Sequence, residues 1–308
     1  MSRALNIIEN FDENSLPDLD VVTLAALELF ENTQLPVLNV NRFRHPLVLG
    51  SEGALATARA IFANQNVVFA NENNYEAAIF SGEVDGAYIF SASGSKHAVT
   101  FAKALSQRDI PTVLVTNTKR SPAEIASPEM DVRVFPKNRE PYTYNASTYM
   151  GMLLAATGEN PTEIKDFIIN KVAPVIPDNI GGYEAYYILV PESAGPVTDL
   201  YLAKFDEMFG SLVAKRAFTF EQTKHAKTVI KNERSLFINI GVENNIFGEH
   251  RLAVPAPAGA QLATMMAIGY YIIGRIQKDK PPYFKESIGS YIEEAKKSFG
   301  WDLSVIVE

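Results

Sequence analysis

Short apolar runs alternate along this chain with segments whose apolar residues recur at i, i+3, i+4 and i+7, a pattern that predicts strands alternating with helices. Runs at 46–50, 67–70, 87–90, 112–115 and 132–135 predict strands, and segments at 54–64, 75–80, 98–105, 121–126 and 147–157 predict helices. A charged, proline-punctuated stretch at 159–182 follows, with a helix at about 161–172. The theme then repeats, with strands at 186–191, 217–220, 236–241 and 252–256 and helices at 197–209, 260–276 and 284–299. Regular alternation of this kind predicts α/β architecture, with two doubly wound parallel-sheet domains in tandem. The expected boundaries are an N-terminal segment at 1–40, a first domain at 41–158, a linker at 159–182 and a second domain at 183–308. The two domains read as weak repeats of one unit. A helix at 19–30 is expected to lie over the first domain.

The most informative unit runs from Tyr88 to Thr118. An apolar run breaks at Ser91-Ala92-Ser93-Gly94-Ser95-Lys96, and a helix follows with Ala98, Phe101, Ala102 and Leu105 on one face. A strand–loop–helix–strand unit in a parallel sheet crosses over right-handed. The loop sets hydroxyls, a glycine and a lysine at a helix N-terminus, where free N–H groups and the dipole favour an anion. An N-cap serine cluster on an ordinary turn is the competing explanation. Gly50-Ser51-Glu52 also ends a predicted strand. In such sheets ligands sit beyond the carboxyl ends of strands, where the strand order reverses.

On the helix at 197–209, Val197, Tyr201, Phe205 and Met208 form an apolar stripe with Lys204 and Glu207 on its flank. These two are either an exposed i,i+3 ion pair or part of a catalytic group. His225 follows a predicted strand and is either structural or an acid–base partner. A carboxylate and an imidazole near a phosphate are what proton shuttling on an open-chain sugar requires.

Length and charge narrow the choice. At 308 residues, 47% hydrophobic and 21% charged, the chain is that of a globular protein with room for two domains. A net charge of −8 argues against a nucleic-acid surface, so an anionic substrate needs a local cation. No apolar run is long enough to span a membrane, and no signal-peptide core opens the chain. With no cysteine, there are no disulfides or thiolate sites, which fits a cytoplasmic protein. Four histidines show no metal spacing, so neither metal nor other cofactor is expected.

Taken together, these residues resemble the sugar isomerase (SIS) family, in particular the two-domain isomerase half of glucosamine-6-phosphate synthase and related deglycases and deaminases. The likeness covers about residues 41–308. Gly50-Ser51 falls at the family's first Gly-Thr-Ser loop, and Ser91-Ala-Ser-Gly-Ser-Lys96 resembles its Ser-x-Ser-Gly-x-Thr phosphate loop. Ser147-Thr148 falls at the start of its closing helix, Lys204-x-x-Glu207 resembles its catalytic Lys-x-x-Glu, and Glu221-x-x-Lys224-His225 its Glu-x-x-Lys-His. Three positions depart: Lys96 replaces a hydroxyl residue, Glu52 a serine, and Leu303 the synthase's Schiff-base lysine. The resemblance implies flavodoxin-like SIS domains and a substrate that is a phosphorylated sugar or amino sugar, bound at Gly50, Ser51, Glu52 and residues 91–96. It implies isomerisation, deamination or deglycation with Glu207, His225 and Lys204 as catalytic residues, and a homodimer with shared active sites. A non-catalytic sugar-phosphate binder is the alternative. Without a cysteine nucleophile, no glutaminase activity is expected.

Overall fold

The computed structural model describes residues 4–80 and 84–308. After α1 (Ala4–Asn10) and α2 (Leu19–Phe30), the chain alternates through β1 (Pro46–Gly50), α3 (Glu52–Ile61), β2 (Val68–Ala70), α4 (Tyr75–Phe80), β3 (Gly86–Phe90), α5 (His97–Ser106), β4 (Thr112–Thr116), α6 (Pro122–Ala126) and β5 (Asp131–Val134). These five strands pair in parallel in the order β2-β1-β3-β4-β5. Strands β1, β3 and β4 are buried along their whole length, as expected of a parallel sheet covered on both faces. The helix caps are local: Ser121 accepts from the Glu124 N–H, with Pro122 in the first turn of α6.

Next come β6 (Glu140–Pro141), α7 (Ala146–Thr157) and α8 (Pro161–Phe167), the last continued by a π-helical turn to Val172. The remainder is β7 (Ala185–Val190), α9 (Thr198–Phe209), β8 (Ala214–Thr219), α10 (Phe220–Thr223), β9 (Ser235–Ile240), β10 (His250–Val254), α11 (Leu262–Asp279), α12 (Tyr283–Phe299) and β11 (Ile306–Val307). Strands β7 to β10 form a second parallel sheet in the order β10-β9-β7-β8. Its order also reverses beside its first strand in sequence, so the two sheets share one winding. The chain ends by pairing β11 antiparallel with β6, at the boundary between the halves.

One hydrophobic core runs from Ile8 to Val305 and takes residues from both sheets, while a smaller one lies on the other face of the first sheet. The N-terminal segment differs from expectation. Instead of lying over the first half alone, α2 packs against both α7 and α11. Its cause is a close approach: Gly274 of α11 meets the Asp20 backbone with no room for a Cβ. The Leu19 N–H, which has no partner within the helix at the start of α2, is then taken by the second half, where Gln277 Oε1 accepts from it at 2.9 Å.

Candidate active site

The loop after β3 is built to hold its shape. Three donors converge on the Ala92 carbonyl: Thr116 Oγ1 at 2.9 Å, the Asn117 N–H at 2.9 Å and Thr118 Oγ1 at 3.3 Å. Gly94 sits at φ +59°, and a Cβ there would overlap Ser121, so only glycine fits. Its carbonyl accepts from Ala123 at 2.8 Å, which ties the loop to α6. Lys96 itself has φ +49° and ψ −118°, a backbone state that costs of order 1–3 kcal/mol in a side-chain-bearing residue. Among the described residues, the N–H groups of Ser93, Ser95 and Lys96 find no acceptor, and they precede α5, whose dipole favours negative charge.

The companion loop after β1 is different in character. Ser51 donates its hydroxyl to Glu72 Oε2 at 2.7 Å. The Glu72 backbone N–H and this serine hold the Glu72 carboxyl below its usual range. Glu52 opens α3 at φ +45° and is exposed. Two carboxylates, Glu52 and Glu72, therefore flank Ser51.

Lys96 is not idle. Its Nζ lies 3.8 Å from the centre of the Trp301 ring. Trp301 belongs to the C-terminal tail, which leaves α12 at Gly300 and returns through a Val305 carbonyl accepting from Tyr142 at 2.8 Å. The tail thus crosses from the end of α12 to β6 over the loop at 91–96. Leu303, on the same tail, packs against the main core.

Glu207 comes from the last turn of α9. An exposed ion pair was one expectation for it, but Lys204 is only 1% exposed. Its ammonium donates to the Thr143 carbonyl at 2.7 Å, the Tyr144 carbonyl at 2.7 Å and Glu207 Oε2 at 2.5 Å. All three N–H donors are spent, so this lysine is a clamp between the two halves of the chain. What buries it is the loop at 142–145, which Glu140 fixes from below by accepting from the Ala146 and Ser147 N–H groups at 2.7 Å each. Burial pushes the Glu140 carboxyl above its usual range, against those donors and the charge of Lys204. Lys204 holds Glu207 through Oε2, and Glu207 keeps 30% of its side chain exposed.

Tyr149 links the regions. A Cβ on Gly53 would fall 2.6 Å from the Tyr149 hydroxyl. Burial raises the pKa of that hydroxyl, and the charges of Glu207, Glu140 and Glu52 add to the effect. The helix that Glu52 opens, α3, packs against α9, which carries Glu207. Glu207 also lines a cavity of about 580 Å³ together with Asp206, Tyr142, Phe284, Ile288 and Tyr291, and no residue of 91–96 reaches it.

His225 lies elsewhere. It is exposed, just past α10, and its backbone N–H donates to Gln222 at 3.2 Å. Asp206 pairs with Lys215 at the start of β8, whereas Glu192, ahead of α9, accepts from the Glu221 N–H at 2.9 Å beyond the end of β8. Glu207 and His225 therefore stand at opposite ends of β8, roughly 15–20 Å apart at about 3.3 Å per residue. Within one chain the structure does not bring them together.

Sequence reasoning did not single out Tyr149, Glu140, Glu72 or Trp301. Trp301 is the only tryptophan in the sequence, a signal that was available. The role of the others depends on which loops meet.

No family model matches the chain, and no curated protein matches it in sequence. Solved structures do. Glucosamine-6-phosphate deaminase from Thermotoga maritima is 15% identical with a TM-score of 0.58, over 91% of this chain and 96% of that one. The C-terminal domain of glucosamine-fructose-6-phosphate aminotransferase from Francisella tularensis is 10% identical with a TM-score of 0.58, over 90% and 99%. Tagatose-6-phosphate ketose/aldose isomerase from Escherichia coli is 10% identical with a TM-score of 0.53, over 78% and 84%. Among the described residues, no helix is long and apolar enough to cross a membrane. The chain has the α/β, parallel-sheet fold of sugar-phosphate isomerases and deaminases.

Proposed function

We propose that this protein converts a sugar phosphate by moving a proton at the sugar's carbonyl end, as an isomerase, deaminase or deglycase. The observation that carries this reading is the clamped carboxylate. Glu207 is fixed by a buried lysine whose every donor is used, yet its side chain stays 30% exposed. A general base needs that combination of fixed position and open approach. The phosphate is held by the N–H groups of Ser93, Ser95 and Lys96 and by the Lys96 ammonium as a point charge. Glu207 then carries a proton between C1 and C2 of the open-chain sugar, and Lys204 positions it without touching substrate.

Ring opening is assigned to His225. Because His225 and Glu207 of one chain stand at opposite ends of β8, the shared site needs a homodimer in which the partner subunit's His225 meets Glu207. The chain is read as two doubly wound units, 41–158 with the phosphate loop and 183–308 with the acid–base groups, joined by 159–182. Proteins sharing this fold include a glucosamine-6-phosphate deaminase and a tagatose-6-phosphate ketose/aldose isomerase, which agrees with this class of chemistry.

A second reading, a sugar-phosphate binder without turnover, is favoured by one observation: the Lys96 ammonium is engaged by the Trp301 ring. Purified protein is to be mixed with fructose 6-phosphate, glucosamine 6-phosphate and fructosamine 6-phosphates. Turnover of at least one, lost in Glu207→Gln, is the expected result. Binding by calorimetry with no turnover selects the second reading, and neither binding nor turnover ends both.

A further inference from the structure

Among the described residues seven tyrosines are buried, and their hydroxyls divide into two groups. Tyr88, Tyr144, Tyr186 and Tyr201 donate to backbone carbonyls, and Tyr271 accepts from Arg275. Tyr149 on α7 and Tyr270 on α11, 8% and 1% exposed, have hydroxyls with no partner among the described residues. Buried hydroxyls are rarely left so. The side-chain polar atoms sealed from solvent without a partner lie on Glu31, Asn117, Glu124 and Asn138. The hydroxyls of Tyr149 and Tyr270 therefore open onto accessible space. Both belong to the surroundings of Glu207: α3 and α11 each pack against α7 and against α9. The Tyr149 hydroxyl lies against Gly53 in the first turn of α3. The Tyr270 ring centre is 5.3 Å from the Lys204 ammonium that holds Glu207. Burial raises the pKa of both phenols, and Glu207 is the charge that acts on each most strongly.

We propose that Tyr149 and Tyr270 are catalytic residues whose neutral hydroxyls donate to the sugar oxygen that gains charge as Glu207 takes a proton. This rests on the function proposed above, because it takes Glu207 as the base. When Glu207 removes the proton from the carbon beside the carbonyl, the C–H electron pair forms the C1–C2 double bond. The carbonyl π pair moves onto oxygen, so the sugar becomes an enediolate and Glu207 a neutral carboxylic acid. Lys204 cannot serve that oxygen, since its three donors are spent. A phenol kept protonated by burial donates to the oxygen and retains its own proton. Donors fixed in place before charge develops are what an oxyanion site requires.

The test compares Tyr149→Phe and Tyr270→Phe with wild type in the full chain, using calorimetry, turnover and thermal melting. The probes are fructose 6-phosphate and the hydroxamate of arabinonate 5-phosphate, an anionic mimic of the enediolate. Wild type is expected to bind the hydroxamate about 10²-fold more tightly than the sugar. Each phenylalanine should lose most of that preference and lower kcat about 10²–10³-fold, with sugar affinity and melting temperature unchanged. Melting separates a catalytic role from a structural one, because each substitution removes a hydroxyl that bonds nothing in the protein. Tyr201→Phe is the control: it gives up a bond to the Met265 carbonyl, so it should lower the melting temperature and leave the preference intact. A preference kept in both variants, or a lower melting temperature with the preference kept, overturns the proposal. If wild type turns over a sugar phosphate and both variants match it, the donors fall and the functional reading stands. If wild type shows neither turnover nor preference for the hydroxamate, both fall.

Discussion

The two parallel sheets share a winding yet differ at their carboxyl ends. In the first, the N–H groups at 93, 95 and 96 of the loop after β3 find no acceptor among the described residues, and the loop adds Lys96. In the second, the loops at the same topological place are filled by their own side chains. After β7, residues 192–197 wind into a 3-10 turn, and Glu192 accepts from the Glu221 N–H. After β9, Asn244 Oδ1 accepts from Ile246 at 3.2 Å and Phe247 at 2.8 Å, while its amide donates to Asn239. Topology offers two places for an anion, and local hydrogen bonding closes one of them. The second half contributes instead through α9, whose last turn carries Glu207 to the boundary with the first.

Substitutions sharpen this contrast. Glu207→Gln should lower turnover by about 10²–10⁴-fold, the range for a general base, with sugar-phosphate binding retained by calorimetry. Lys204→Met should cost about 2–3 kcal/mol in thermal or urea unfolding, because the Thr143 and Tyr144 carbonyls lose their buried donor. Gly94→Val should remove sugar-phosphate binding and destabilise by about 1–3 kcal/mol, since φ is +59° and Ser121 occupies the Cβ position. Lys96→Met should weaken binding of fructose 6-phosphate about tenfold. In wild type that ligand should change Trp301 emission, because phosphate and indole compete for one ammonium. An emission that ignores saturating ligand would place the phosphate elsewhere. The smallest effect belongs to the second sheet: Glu192→Gln should shift stability by less than about 1 kcal/mol and leave sugar-phosphate affinity unchanged.

Periodicity located the regular elements well because each strand and helix carries its own pattern. The run at 112–115 became β4 at Thr112–Thr116, and the segment at 284–299 became α12 at Tyr283–Phe299. The seven-residue α1 and the two-residue β6 and β11 lack enough residues to show a period. Gly94 was legible in kind, since a glycine among serines after an apolar run marks a turn. Lys204 was legible in position only. Its place on the flank of the apolar stripe says nothing of the loop at 142–145, which arrives from the other half to bury it. The Lys96–Trp301 contact joins residues 205 positions apart and could not be read from either neighbourhood.

A crystal structure with fructose 6-phosphate tests the contrast between the sheets most directly. The account predicts phosphate oxygens at about 2.7–3.2 Å from the N–H groups of Ser93, Ser95 and Lys96, with C1 and C2 turned toward Glu207. A phosphate seated instead on residues 192–197 or on the loop after β9, or a sugar whose C1 and C2 point away from Glu207, would contradict it.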